Sequence, residues 1–143
     1  MKLMLIIIFS VSIALITLDI SAKPKIKVNV TKNTVSSLMI GLASDNVGLK
    51  SSSAYMIGEL QLSKAVIPLM RILREDENED LRITAALALY KIGTPLAINA
   101  VRQAIKFDES KRVSKHCANF YYEYSRNKIS DEEININAAK TAL

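Results

Sequence analysis

An all-α fold, a short superhelix of stacked helical hairpins, is the class this sequence predicts, and three observations carry it. From Val35 onward apolar residues recur at spacings of three and four, the period of one helical face. A shift of 32 residues lays "NVGLKSSSAYMIGELQLSKAVIPLMRILRED" on "NEDLRITAALALYKIGTPLAINAVRQAIKFD", matching Leu49 to Leu81, Ala54 to Ala86, Ile57 to Leu89, Leu69 to Val101 and Leu73 to Ile105. The second copy is broken by Gly93-Thr94-Pro95, a residue tolerant of positive φ followed by a cap and a proline that needs no N–H donor. A hairpin with one apolar side cannot bury it alone, so the copies must stack into a continuous core.

The elements follow in order. Lys2, the apolar run Leu3 to Leu18 and the small-residue end Ile20-Ser21-Ala22 read as a signal peptide spanning residues 1–22, cut after Ala22. An uncleaved anchor is the alternative, and only then is a membrane a partner. Residues 23–33, "KPKIKVNVTKN", read as a flexible lead-in with Thr31 or Asn33 near a helix start. The repeat domain is expected over residues 34–125. Its first helix carries Val35, Leu38, Met39 and Leu42 on one face and stops at Ser44-Asp45-Asn46, where Asp45 or Asn46 caps the next.

Two full hairpins run from Asn46 to Asp76 and from Asn78 to Asp108. In the first, Ser63 is the expected cap of the second helix, and Pro68 should bend that helix or displace its start. In the second, Leu81, Ala85, Leu89 and Ile92 form one stripe and Ile98, Val101, Ala104 and Ile105 the other, with Tyr90 and Lys91 left for solvent or the neighbouring unit. A third copy starts with Asp108 or Ser110 as cap and buries Val113, Cys117, Phe120, Tyr121 and Tyr124. It is expected to stop near Tyr124 or Ser125, so the array reads as half, whole, whole, half. Residues 126–143 are expected to be a frayed tail or a short helix starting at Ser130 or Asp131.

The phrases "LKSSSAYMIGELQLSKAVIPLMRIL" and "LRITAALALYKIGTPLAINAVRQAI" resemble the HEAT-repeat superfamily, especially the short bacterial HEAT-like repeats also found in phycobilin lyases. The resemblance implies a stacked helical scaffold that commonly binds proteins, with lyases as one branch.

Composition sets the bounds on function. With 143 residues there is room for one domain and one modest core. Nineteen Lys and Arg against 14 Asp and Glu leave a net charge of +5, an ordinary value for a soluble domain. Cys117 is the single cysteine, so neither an intramolecular disulfide nor a Cys-ligated metal site is expected. The sequence lacks a phosphate loop, a dinucleotide fingerprint, a Gly-x-Ser-x-Gly elbow and an HExxH pair, and no enzyme activity or cofactor is expected. His116 and Cys117 are neighbours on one helix and point about 100 degrees apart, which is poor geometry for a base and nucleophile. Glu59 reads as the partner of a basic residue in the adjacent repeat. The carboxylates of "REDENEDLR" read as a solvated inter-repeat loop with helix-start residues. No dense basic block or stacking motif points to nucleic acid.

The expected functional surface is instead the outer side of the second helices. Lys64, Arg71 and Arg74 in one unit and Arg102, Gln103 and Lys106 in the next lie outside the apolar stripes, and Tyr122 is the candidate aromatic contact at the C-terminal end. Arg71 with Gln103 and Arg74 with Lys106 are expected to form rows. The reading is a periplasmic or secreted protein-binding or scaffold module with an unidentified protein partner. A self-associating envelope component and a lyase-like small-ligand enzyme or accessory factor are the alternatives.

Overall fold

The computed structural model describes residues 30–141, and every regular element among them is helical. The helices are α1 Lys32–Leu42, α2 Val47–Glu59, α3 Val66–Glu75, α4 Glu79–Ile92, α5 Pro95–Phe107 and α6 Lys111–Thr141, with a 3-10 turn Ser63–Ala65 before α3. The first helices α2, α4 and α6 pack side by side in one row. The second helices α3 and α5 lie against them, with α1 entering as the second helix of a preceding half-hairpin. The expected leader, its cleavage point and most of the lead-in lie outside the described residues.

Three loops set the register, each by the same chemistry. Asn46 and Asn78 accept from the N–H of Leu49 and Leu81, and Ser110 accepts from those of Arg112 and Val113, so a polar side chain caps α2, α4 and α6 at positions 32 apart. Two residues earlier, Ser44, Asp76 and Asp108 accept from the N–H of Asn46, Asn78 and Ser110. Thr31 caps α1 through the N–H of Thr34. The turn inside the second hairpin matches expectation: Gly93 has φ +68, Thr94 accepts from Ala97 and Pro95 opens α5.

The first hairpin departs from the sequence reading. Ser63 caps nothing; it opens the 3-10 turn, and α3 begins at Val66 without a side-chain cap. Pro68 causes this. Its ring would clash with the carbonyl of residue 64 in a helix begun at Ser63, whereas the later start puts Pro68 in the first turn, where a missing N–H has no consequence. Gln61, the counterpart of Gly93, holds φ +50 with a full side chain.

The core is one cluster. Ile57, Leu69, Leu81, Leu89, Val101, Val113 and Cys117 are fully enclosed, and Phe120 and Tyr121 pack against the buried set. The central helix α4 touches α2, α3, α5 and α6, and its Ala85, Ala86 and Ala88 keep those approaches short. At Gly58 the α2–α4 approach leaves no room for a side chain: a methyl group there would sit 2.7 Å from the Ala88 Cα. One repeat on, the same meeting point holds Tyr90 and Phe120, stacked with centroids 5.8 Å apart. A glycine–alanine contact thus joins α2 to α4, and an aromatic pair joins α4 to α6.

The C-terminal end corrects a boundary. The third copy does not stop at Tyr124 or Ser125, and no separate short helix starts at Ser130 or Asp131, because α6 runs unbroken to Thr141. Residues 126–141 contain no Gly or Pro to stop it, and Glu123–Arg126 and Lys128–Glu132 pair along its surface. No helix among the described residues is long and apolar enough to cross a membrane.

Two substitutions test this packing. Gly58→Ala is expected to lose about 2 kcal/mol in urea denaturation, since overpacking near the top of the roughly 1–3 kcal/mol range exceeds the ~1 kcal/mol gain in helix propensity. Gln61→Gly should gain up to about 1 kcal/mol by relieving the left-handed conformation.

Candidate functional site

The second-helix face is built on a run of ion pairs that the 32-residue repeat generates. Lys50 of α2 reaches Asp76 in the following loop at 3.3 Å. Its counterpart Arg82 of α4 holds Asp108 through two bonds, Nε to Oδ2 and Nη2 to Oδ1, both 3.0 Å. The remaining Arg82 nitrogen, Nη1, donates to the carbonyl oxygens of Asp76 and Glu77 at 2.9 and 3.3 Å, so one guanidinium ties two successive loops together. The Arg82 and Asp108 side chains are only 12% and 6% exposed, and the hydrogen bond to Asp108 pushes the guanidinium further above its ordinary pKa. Serines close the run at both ends. Ser44 stands where Asp76 and Asp108 stand, and Ser114 stands where Lys50 and Arg82 stand, its hydroxyl donating to the Ile105 carbonyl at 2.6 Å.

Two grooves lie over these pairs. One, of about 460 Å³, runs between α1 and α3 and is lined by Met39, Leu42, Ala43, Pro68, Arg71 and Ile72 above Lys50 and Asp76. The other, of about 480 Å³, runs between α3 and α5 and is lined by Met70, Leu73, Arg74, Ala100, Gln103, Ala104 and Phe107 above Arg82 and Asp108. They are the same site one repeat apart: Pro68, Arg71 and Ile72 in the first become Ala100, Gln103 and Ala104 in the second. Each has an apolar wall, an arginine and Glu75 at its border and a neutralised ion pair as its floor, and Glu77 and Glu109 also line the α3–α5 groove.

The structure sorts the residues singled out from sequence. Arg74 and Gln103 share the α3–α5 groove, and Arg71 borders the α1–α3 groove. Arg102 and Lys106 are exposed on α5 and line neither groove, with Arg102 donating to Asn99 at 2.8 Å. Lys64 lies in the 3-10 turn at the opposite end of α3 from the loops. Tyr122, 65% exposed, stands on α6 and belongs to the end of the array.

The remaining chemical candidates sit in structural surroundings. Glu59 pairs with Lys91 of the next repeat, as expected, and Lys91 also lies 4.9 Å over the Tyr55 ring. The Lys91 ammonium and then the Tyr55 hydroxyl hold the Glu59 carboxyl below its usual range. Burial pushes the Cys117 thiol up to about 12. His116 lies 6.2 Å from the Phe120 ring. Glu79 and Asp80 flank the Arg112 guanidinium at 3.6 and 2.6 Å, and among the described residues no three His, Cys, Asp or Glu side chains are grouped to hold a metal ion.

A row of paired first and second helices, with equivalent residues every 32 positions, defines an α-solenoid. A family model described as HEAT repeats matches residues 35–119, more than half of the chain, and the protein belongs to that family. No curated protein matched the chain.

The buried pair and the buried thiol each yield an expected outcome. Asp108→Asn leaves Arg82 enclosed without its counter-charge and should cost about 3 kcal/mol in urea denaturation, with Arg82→Met in the same chain recovering part of the loss. Cys117 should react with a thiol reagent at pH 8 at least ~100-fold more slowly in the native protein than in urea, because thiolate and access are both suppressed.

Proposed function

We propose that the protein is a non-enzymatic binding module of the cell envelope, and that its second-helix face docks an extended segment of a partner protein. The observation that carries this reading is the pair of equivalent grooves one repeat apart, bordered by Arg71 and by Arg74 with Gln103. Arg71 makes no ion pair among the described residues, and Arg74 has only a 3.7 Å contact with its own neighbour Glu75. Both guanidiniums are therefore available to partner carboxylates, Glu77 and Glu109 beside them to partner cations, and the walls of Met70, Leu73, Ala104 and Phe107 accept apolar side chains between them. The envelope location rests on the sequence from Lys2 to Ala22.

The lyase-like alternative asks for a pocket uniting His116, Cys117 or Glu59. Glu59 lines a third groove with Gly58, Gln61, Lys91 and Tyr124, but neither His116 nor Cys117 belongs to it, and Cys117 is enclosed in the core. The scaffold reading is therefore the better supported.

Native pulldown from envelope extract tests the proposal. A partner recovered with the wild-type protein should be lost at least ~10-fold in Arg71→Glu with Arg74→Glu, be weakened by added salt, and be retained in Arg102→Glu. Equal recovery with all three proteins would overturn the second-helix face as the docking site.

A further inference from the structure

We propose that the N-terminal end of the array is a self-association surface, on which a second copy of this chain packs head to head through the α2 face formed by Leu49 and Met56. The repeat register carries the inference. Leu49 has counterparts in Leu81 and Val113, exposed at 1% and 0%, yet is itself 51% exposed. Met56 has counterparts in Ala88, at 1%, and in Phe120, which packs against the core, yet is itself 40% exposed. In the later repeats the Met56 position is covered by the preceding first helix, as Gly58 covers Ala88 and Tyr90 covers Phe120, while Leu49, earlier on α2, borders Gly41 of α1 and is otherwise open. Among the described residues no first helix precedes α2, so side chains of stacking type face outward. α1, packed along α2, leaves Ile40 73% exposed on the side opposite its Leu38 and Leu42 stripe.

Charge selects the occupant. In residues 33–58 the only charged side chains are Asp45 and Lys50, and Lys50 is turned inward to Asp76. Two copies of a chain carrying +5 can meet here without like charges opposing one another. The opposite end is built differently. In the register of Ile83 and Leu87 of α4, α6 carries Lys115 and Asn119, both exposed, beside Tyr122. Stacking tail against head would bury Lys115 over Leu49 and Met56 without a counter-charge, which is costly. A two-fold, head-to-head contact avoids this and closes at two copies instead of growing into a filament. With three exposed apolar side chains at its centre the interface falls below the ~1,200 Å² of standard complexes, so the dimer forms reversibly in the micromolar range or weaker.

Sedimentation equilibrium of the purified full chain from about 1 μM to about 1 mM spans that range. The expected result is a monomer–dimer equilibrium weakened at least ~10-fold by Leu49→Glu with Met56→Glu, at unchanged helicity because both positions are exposed. Arg71→Glu with Arg74→Glu should dimerise as the wild type does, which separates this surface from the second-helix face. Mild oxidation of Met56→Cys should give a disulfide-linked dimer, and of Tyr122→Cys none, with the buried Cys117 silent in both. The inference is overturned by a monomer at every concentration. Cross-linking of Met56→Cys to Tyr122→Cys in a mixture overturns it as well, since that is head-to-tail stacking. A Met56→Cys thiol shielded from reagents in a monomeric chain also overturns it, because residues upstream of α1 then cover the face.

Discussion

Asp76 and Asp108 each perform two tasks at once, and the stacking of the hairpins is referenced to them. Each carboxylate accepts the N–H two residues ahead, which shapes the loop into the next first helix, and each takes a cation from the first helix of its own hairpin. Arg82 then adds the carbonyls of the preceding loop. Loop shape, hairpin closure and the spacing between repeats are therefore coupled through a few charge-assisted bonds in a half-dry environment, where such bonds are stronger than at the surface. The same pairs floor both grooves. Because Lys50, Asp76, Arg82 and Asp108 satisfy one another, the groove floors present little net charge, and the electrostatic character of the face is left to Arg71 and Arg74 and to Glu75, Glu77 and Glu109 on its walls.

Packing between first helices adds a second constraint. At one repeat boundary Gly58 and Ala88 let two backbones approach closely; at the next the aromatic rings of Tyr90 and Phe120 occupy the same point. The interior tolerates both because neighbouring side chains compensate in volume, in keeping with close packing of protein cores. The array is consequently regular in sequence register and irregular in helix spacing. Its ends are unlike as well. Toward the N-terminus α2 leaves aliphatic side chains outward, whereas toward the C-terminus α6 replaces the stacking residues with lysine and asparagine and continues as an exposed helix. Polar outer faces are what terminal repeats need if stacking is to stop.

HEAT-repeat membership defines a scaffold, and function on such a scaffold depends on which side chains the stacking leaves outside. Of the residues visible as outward-facing in the sequence, Arg71, Arg74 and Gln103 gain a shared context from the tertiary structure because they border equivalent grooves. Arg102, Lys106 and Lys64 stay as isolated surface charges. Cys117 and Glu59, the residues with the most chemical promise in isolation, are placed in the core and in an inter-repeat ion pair.

The 32-residue period, the helix faces, the turn at Gly93-Thr94-Pro95 and the loops that cap the first helices were determined by the sequence alone, since each follows from local spacing or from the donor and acceptor chemistry of one short segment, while the choice of Asn46 over Asp45 and of Ser110 over Asp108 as caps came from the structure. The Glu59 pairing with a neighbouring repeat was legible for the same reason. The superposition of Lys50 on Arg82 and Asp76 on Asp108 was also visible, yet nothing local said that residues 26 apart meet. Only the folded hairpin decides that, because the pairing depends on how two helices close on each other. The later start of α3 at Pro68, the left-handed Gln61, the Gly58–Ala88 contact and the unbroken α6 belong to the same class. Most are set by backbone atoms that local periodicity does not report: a carbonyl that would clash with a proline ring, or a backbone that must pass within van der Waals distance. Sequence periodicity reports which face of a helix is buried, and tertiary packing alone reports against what.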